Sequence, residues 1–92
     1  MPALSPQEAA ARVRSLPGWK IESGELVKTF TFQDFLGSIA FVNKIAKAAE
    51  DAGHHPDIDI RYSRVKITLT THDAGGLTEK DFNLGGEIER LA

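Results

Sequence analysis

The apolar pattern predicts an α+β fold: a two-layer sandwich in the order α-β-β-α-β-β-α, a four-stranded antiparallel sheet with its helices on one face. Three observations carry that expectation. Two segments, residues 19–31 and 57–71, each read as strand, turn and strand by period-two alternation. Capping signatures, Ser5-Pro6-Gln7-Glu8 near one end and Thr78-Glu79-Lys80-Asp81 near the other, open helices outside the hairpins. Between the hairpins an apolar stripe recurs at four-three spacing, as a core-facing helix requires.

In the first helix Ser5 caps, Pro6 suits the first helical position and Glu8 completes the box. Ala9, Val13 and Leu16 continue it to the stop at Pro17-Gly18. At about three turns it needs a packing partner. Strands 19–22 and 25–31 follow, joined at Ser23-Gly24 as a two-residue hairpin turn. Glu22 then faces Glu25 and Ile21 faces Leu26, with Phe30 and Phe32 on the same face.

Thr31-Phe32-Gln33-Asp34 resembles a further capping box and opens the longest helix, 33–52. Phe35, Ile39, Val42, Ala46 and Ala49 form its expected core stripe, with Phe41, Ile45, Ala48 and Ala52 beside it. That apolar face is wider than a sheet alone needs, which points to a homo-oligomer. Gly53 suits a left-handed cap, and His55, preceding Pro56, is expected to be extended. Strands 57–62 and 65–71 pair through a Ser63-Arg64 turn, so Tyr62 faces Val65, Ile60 faces Ile67 and Ile58 faces Leu69. Carried two residues past the strand start at Asp57, the same register sets His55 opposite His72. After the loop 73–77, Thr78 caps the last helix with Asp81 as its capping partner; Phe82, Ile88 and Leu91 face inward. Gly85-Gly86 costs this helix up to about 1 kcal/mol per glycine relative to alanine, a cost that close approach of another backbone would explain.

Composition narrows the function. Ninety-two residues, 41% hydrophobic and 26% charged, make one domain spanning 1–92. A net charge of −2 gives no basic field for nucleic acid. There is no cysteine, hence no disulfide, thiolate nucleophile or cysteine-based zinc site. No apolar run approaches the roughly 18 residues of a membrane span, and no signal-peptide pattern is present, so a cytoplasmic location is expected.

The chemistry concentrates at Glu50-Asp51-Ala52-Gly53-His54-His55-Pro56-Asp57. Two of the three histidines stand here, at a helix-to-strand junction, and strand register returns the third, His72, to the same place. Imidazoles titrate near neutral pH, so such a cluster can move protons. Three imidazoles can also hold zinc. Adjacent residues on an extended segment point apart, however, which favours proton transfer. Glu50, one turn before His54, can orient that ring, although a solvated surface carboxylate is the simpler reading; Asp81 reads first as a cap.

Glu50, His54-His55-Pro56, Tyr62, Val65, Thr71-His72, Gly76-Leu77-Thr78 and Asp81 together resemble the pterin-4a-carbinolamine dehydratases. The resemblance extends from Trp19 through Thr31-Phe32-Gln33-Asp34-Phe35 to the C-terminus. It implies dehydration of 4a-hydroxytetrahydropterin to quinonoid dihydropterin, recycling the pterin of aromatic amino acid hydroxylases. It also implies no metal or organic cofactor, and a homodimer or homotetramer. By resemblance His54 and His72 do acid/base work, His55 binds the pterin, and Glu50 orients His54. Residues His54, His55, Pro56, Thr71, His72, Asp73 and Ala74 should line the pocket. Ile58 stands where some relatives carry an aromatic residue, which leaves Trp19 as the candidate aromatic wall. The alternative is a non-catalytic protein-binding or dimerisation module on the same fold.

Overall fold

The computed structural model describes residues 2–92. Its order is α1 (Pro6–Val13), β1 (Lys20–Glu22), β2 (Glu25–Thr31), α2 (Phe35–Ala52), β3 (Asp57–Arg61), β4 (Arg64–Leu69) and α3 (Glu79–Leu91), with a single 3₁₀ turn at His72–Ala74. The expected α+β order is therefore present. The strands run β1-β2-β4-β3, every neighbouring pair antiparallel, so the two hairpins meet along β2 and β4. Among the described residues no helix is long and apolar enough to cross a membrane.

Local chemistry explains the boundaries. Ser5 and Glu8 form the expected capping box, and the Ser5 N–H holds the Glu8 carboxyl below its ordinary value. α1 ends at Val13, earlier than Leu16, but Leu16 still packs on the core. The first hairpin keeps the expected register, Glu22 with Glu25 and Ile21 with Leu26. Ser23 and Gly24 take left-handed φ values of 51° and 77° in the turn. α2 opens at Phe35, not at Gln33, because Asp34 is its cap and accepts from the Gly37 N–H at 2.8 Å. Thr31 belongs instead to the end of β2.

The central strands supply the buried sheet face: Leu26 and Phe30 of β2, and Val65, Ile67 and Leu69 of β4. Phe41, Ile45 and Ala49 of α2 pack on them with Phe82 and Ile88 of α3. Each large side chain fully buried here contributes about 1.5–3 kcal/mol. The inward face of α2 is thus Ser38, Phe41, Ile45 and Ala49, rotated from the expected stripe; Phe35 and Ala46 of that stripe are exposed. Ser38 is the reason apolar counting misplaces the face. Its hydroxyl is buried and donates to the Tyr62 carbonyl at 2.6 Å.

That bond also bears on the second hairpin, whose register differs from the expectation. The turn is Tyr62-Ser63, so Arg61 faces Arg64, Ile60 faces Val65 and Ile58 faces Ile67. Tyr62 adopts a left-handed φ of 52°, a conformation that costs a non-glycine residue about 1–2 kcal/mol. The Ser38 hydroxyl, and the Phe32 N–H donated to the Ser63 carbonyl at 2.7 Å, tie this turn to α2 and the end of β2. The two-residue shift keeps the same side chains facing inward.

Gly85 also departs from expectation. A Cβ there would meet Leu16 Cδ1 at 3.3 Å and Leu26 Cδ2 at 3.4 Å, so side chains and not a backbone crowd it.

Candidate active site

Gly53 ends α2 with a left-handed φ of 63°, and the His54 N–H returns to the Ala49 carbonyl at 3.1 Å. This turn aims the His54 ring at α3, where its Nε2 lies 2.6 Å from Asp81 Oδ1. The His54 side chain is 11% exposed and Asp81 is fully buried. Asp81 Oδ2 accepts from the Thr71 hydroxyl at 2.8 Å and from the Thr78 N–H at 2.9 Å. The Thr78 hydroxyl stands 2.9 Å from Thr71 and accepts from the Lys80 N–H. With Thr71 donating to the carboxylate, Thr78 must donate to Thr71, so every polar atom in this network is satisfied. A carboxylate only accepts, which assigns the proton to His54 Nε2 and leaves Nδ1 as its free acceptor.

The second pair is different. His55 Nε2 bonds Glu50 Oε2 at the surface, with side chains 63% and 75% exposed. Glu50 therefore engages His55, not His54 as the one-turn spacing suggests. The orienting carboxylate of His54 is Asp81, which also completes the Thr78 capping box.

His72 reaches the site by a route other than strand register. Carried beyond Asp57–Thr68, the observed pairing sets His55 across from Thr70, not from His72. Thr71 and Gly76 form an isolated antiparallel bridge, and the chain between them makes the 3₁₀ turn that begins at His72. Gly75, at φ 73°, closes the turn.

A cavity of about 270 Å³ joins these parts. His54, His55 and His72 all line it, together with Thr71 and Asp73. Pro56 and Ala74 are half-buried beside it and do not line it. Trp19 is remote from it in function: its ring is buried, packs edge-on to Phe30 at 5.9 Å, and donates from Nε1 to Glu89 at 2.8 Å. It is a core residue and provides no wall over the pocket. Thr70 and Lys80 line the cavity and were not singled out from sequence. Strand alternation could have offered Thr70, while Lys80 has only its place beside Asp81. Among the described residues no group of three or more His, Asp or Glu is arranged to hold a metal ion.

Fold and site together define a small α+β protein whose sheet end and helix ends enclose a histidine pocket braced by a buried carboxylate. The sequence profile of the pterin 4 alpha carbinolamine dehydratases matches residues 2–91, and the chain belongs to that family. It is 55% identical over 91 residues to a candidate pterin-4-alpha-carbinolamine dehydratase of Acidobacterium capsulatum, covering 99% of both chains. A similarly named protein of Thermosynechococcus vestitus is 55% identical over 89 residues, covering 97% of this chain and 94% of the relative. Among solved structures, a transcriptional coactivator/pterin dehydratase from Brucella melitensis superposes with a TM-score of 0.94 at 32% identity, covering 98% of each chain. A pterin dehydratase-like protein described as a RuBisCO assembly factor in the alpha-carboxysome matches with a TM-score of 0.66 at 27% identity, covering 80% of this chain and 86% of the other.

Proposed function

We propose that the protein dehydrates 4a-hydroxytetrahydropterin to quinonoid dihydropterin and water, without a metal or organic cofactor. The observation that carries this reading is the pocket itself, lined by three imidazoles, one of them held by a buried carboxylate. In the reaction the C4a–O bond breaks and the hydroxyl leaves as water once an acid protonates it. N5 gives up its proton to a base, and its electron pair forms the new C4a=N5 bond. His54, with Nε2–H fixed on Asp81, presents Nδ1 as the base for N5–H. His72 is the acid toward the hydroxyl, and His55 binds the ring from the exposed side. Each such group contributes about 10²–10⁴-fold when its pKa lies near the working pH. In the cytoplasm this reaction would return the pterin spent by aromatic amino acid hydroxylases.

The test follows the ultraviolet change of 4a-hydroxytetrahydropterin with wild type and with His54→Ala, His55→Ala and His72→Ala. Acceleration by wild type, lost most completely in His54→Ala and His72→Ala, is the expected result. No acceleration over the spontaneous reaction would sink the enzyme reading. A non-catalytic role is the second reading, supported by the neighbour described as an assembly factor. It would leave the three histidines replaceable without loss of function.

The protein also acts as a homodimer or homotetramer in this reading. Leu36, 76% exposed at the start of α2, lies near exposed Phe35, and exposed Tyr62 is tied to the same end of the helix through Ser38. Such an apolar patch is suited to a second copy. Sedimentation of wild type beside Leu36→Glu checks it: a smaller species is expected for the variant, and a wild-type monomer at micromolar concentration would remove the idea.

A further inference from the structure

A second cavity, of about 400 Å³, lies between α2 and α3, with Ala48 and Ala52 on one wall and Leu84 on the other. It starts where the histidine pocket stops. Lys80 lines both, and Ala52 of the groove is followed directly by Gly53 of the pocket. Past Glu87 the depression continues to Leu91 and Lys44. From Lys80 to Leu91 this is about 16 Å along the helix. Asp51 and Glu87 also line it, each in a mostly exposed surface pair, Asp51 with Lys47 at 3.2 Å and Glu87 with Arg90, which offsets their charge only in part. Lys44, at the far end, makes no ion pair among the described residues. The groove therefore has a small apolar floor at Ala48, Ala52 and Leu84 between polar and charged side chains, one end open on the histidine pocket, and Lys44, unpaired among the described residues, at the other.

Pterin connectivity says what leaves the pocket by that end. C6 is bonded to N5, and N5 to C4a, so a substituent on C6 departs beside the reacting atoms. With C4a and N5 among the histidines, a substituent directed past Lys80 enters the groove. We propose that the α2–α3 groove is a subsite for the C6 substituent. It fits a long substituent, apolar in its middle and anionic at its end, as an aminobenzoyl-glutamate is. The inference rests on the dehydratase reading and deepens it by naming the substrate class.

The experiment measures kcat/KM for two 4a-hydroxytetrahydropterins, one with a C6 methyl group and one with a C6 aminobenzoyl-glutamate arm. Wild type, Lys44→Glu and Ala48→Phe are compared. Lys44 is exposed on a helix, so its replacement keeps the fold. Wild type is expected to prefer the long substrate, and the ratio of the two kcat/KM values falls about three- to tenfold in Lys44→Glu, the size of effect an exposed charge contact gives on reversal. Ala48→Phe, which fills the groove, lowers the same ratio. Equal turnover of both substrates by wild type, or a ratio unmoved in both variants, overturns the subsite while leaving the dehydratase reading intact. A change of oligomeric state in Ala48→Phe by sedimentation, with the ratio unmoved, overturns it in favour of a second copy lying in the groove. If neither substrate is accelerated, the dehydratase reading itself fails.

Discussion

His54 and His55 are neighbours in sequence, each bonded to a carboxylate, yet the two pairs have different physical meaning. His54–Asp81 is buried, and the carboxylate has further donors from Thr71 and Thr78. His55–Glu50 stands in water with both side chains mostly exposed. Exposed ion pairs contribute at most about 1 kcal/mol, because solvent screens them and two flexible side chains must be held. A buried, fully satisfied carboxylate fixes a ring and its tautomer, and its loss leaves several polar groups stranded. Proximity of a histidine to an acid therefore does not say which pair is rigidly held; burial and satisfaction do.

The largest expected effect that separates the two pairs is on stability. Asp81→Ala removes the partner of His54, Thr71 and the Thr78 N–H together, and should lower unfolding free energy by about 3–5 kcal/mol. An unfolding free energy from urea titration within about 1 kcal/mol of wild type would break the comparison. Asp81→Asn keeps the shape and changes the acceptor. It should reduce kcat by about 10²-fold with KM little changed, as expected where a ring is misoriented for proton transfer. A change confined to KM would assign Asp81 to binding instead. Glu50→Gln should be the mildest, within about 1 kcal/mol in stability. Any loss of kcat it causes should remain smaller than that of Asp81→Asn in the same assay.

The two hairpins show how much of this was legible beforehand. Ser23-Gly24 announces its own turn, since Ser-Gly is a turn signal and Gly24 takes the left-handed backbone without steric cost, and the register followed directly. Tyr62-Ser63 carries no such mark. Its turn is tied by Ser38, 24 residues earlier, through a hydroxyl on a face where only apolar residues were counted. The same limit applies to the site. The histidine grouping was readable from spacing and from the family resemblance, but strand register does not join His55 to His72, because the turn at Tyr62-Ser63 shifts the pairing by two residues. His72 arrives through the Thr71–Gly76 bridge and its 3₁₀ turn instead. Asp81 was readable as a cap from three residues of local sequence. Its contact with His54 spans 27 residues and depends on how α3 docks, which no local pattern encodes.

Asp81 belongs at once to the first turn of α3 and to the anchorage of His54. Helix initiation and anchorage of the His54 ring therefore depend on the same carboxylate. Before the C-terminal helix has docked, His54 has no fixed tautomer and no fixed direction, however well the sheet has formed. Fraying of that single turn would disarm the site without unfolding the sheet. Recovery of activity during refolding should accordingly lag behind formation of the sheet and coincide with protection of the amides at the start of α3.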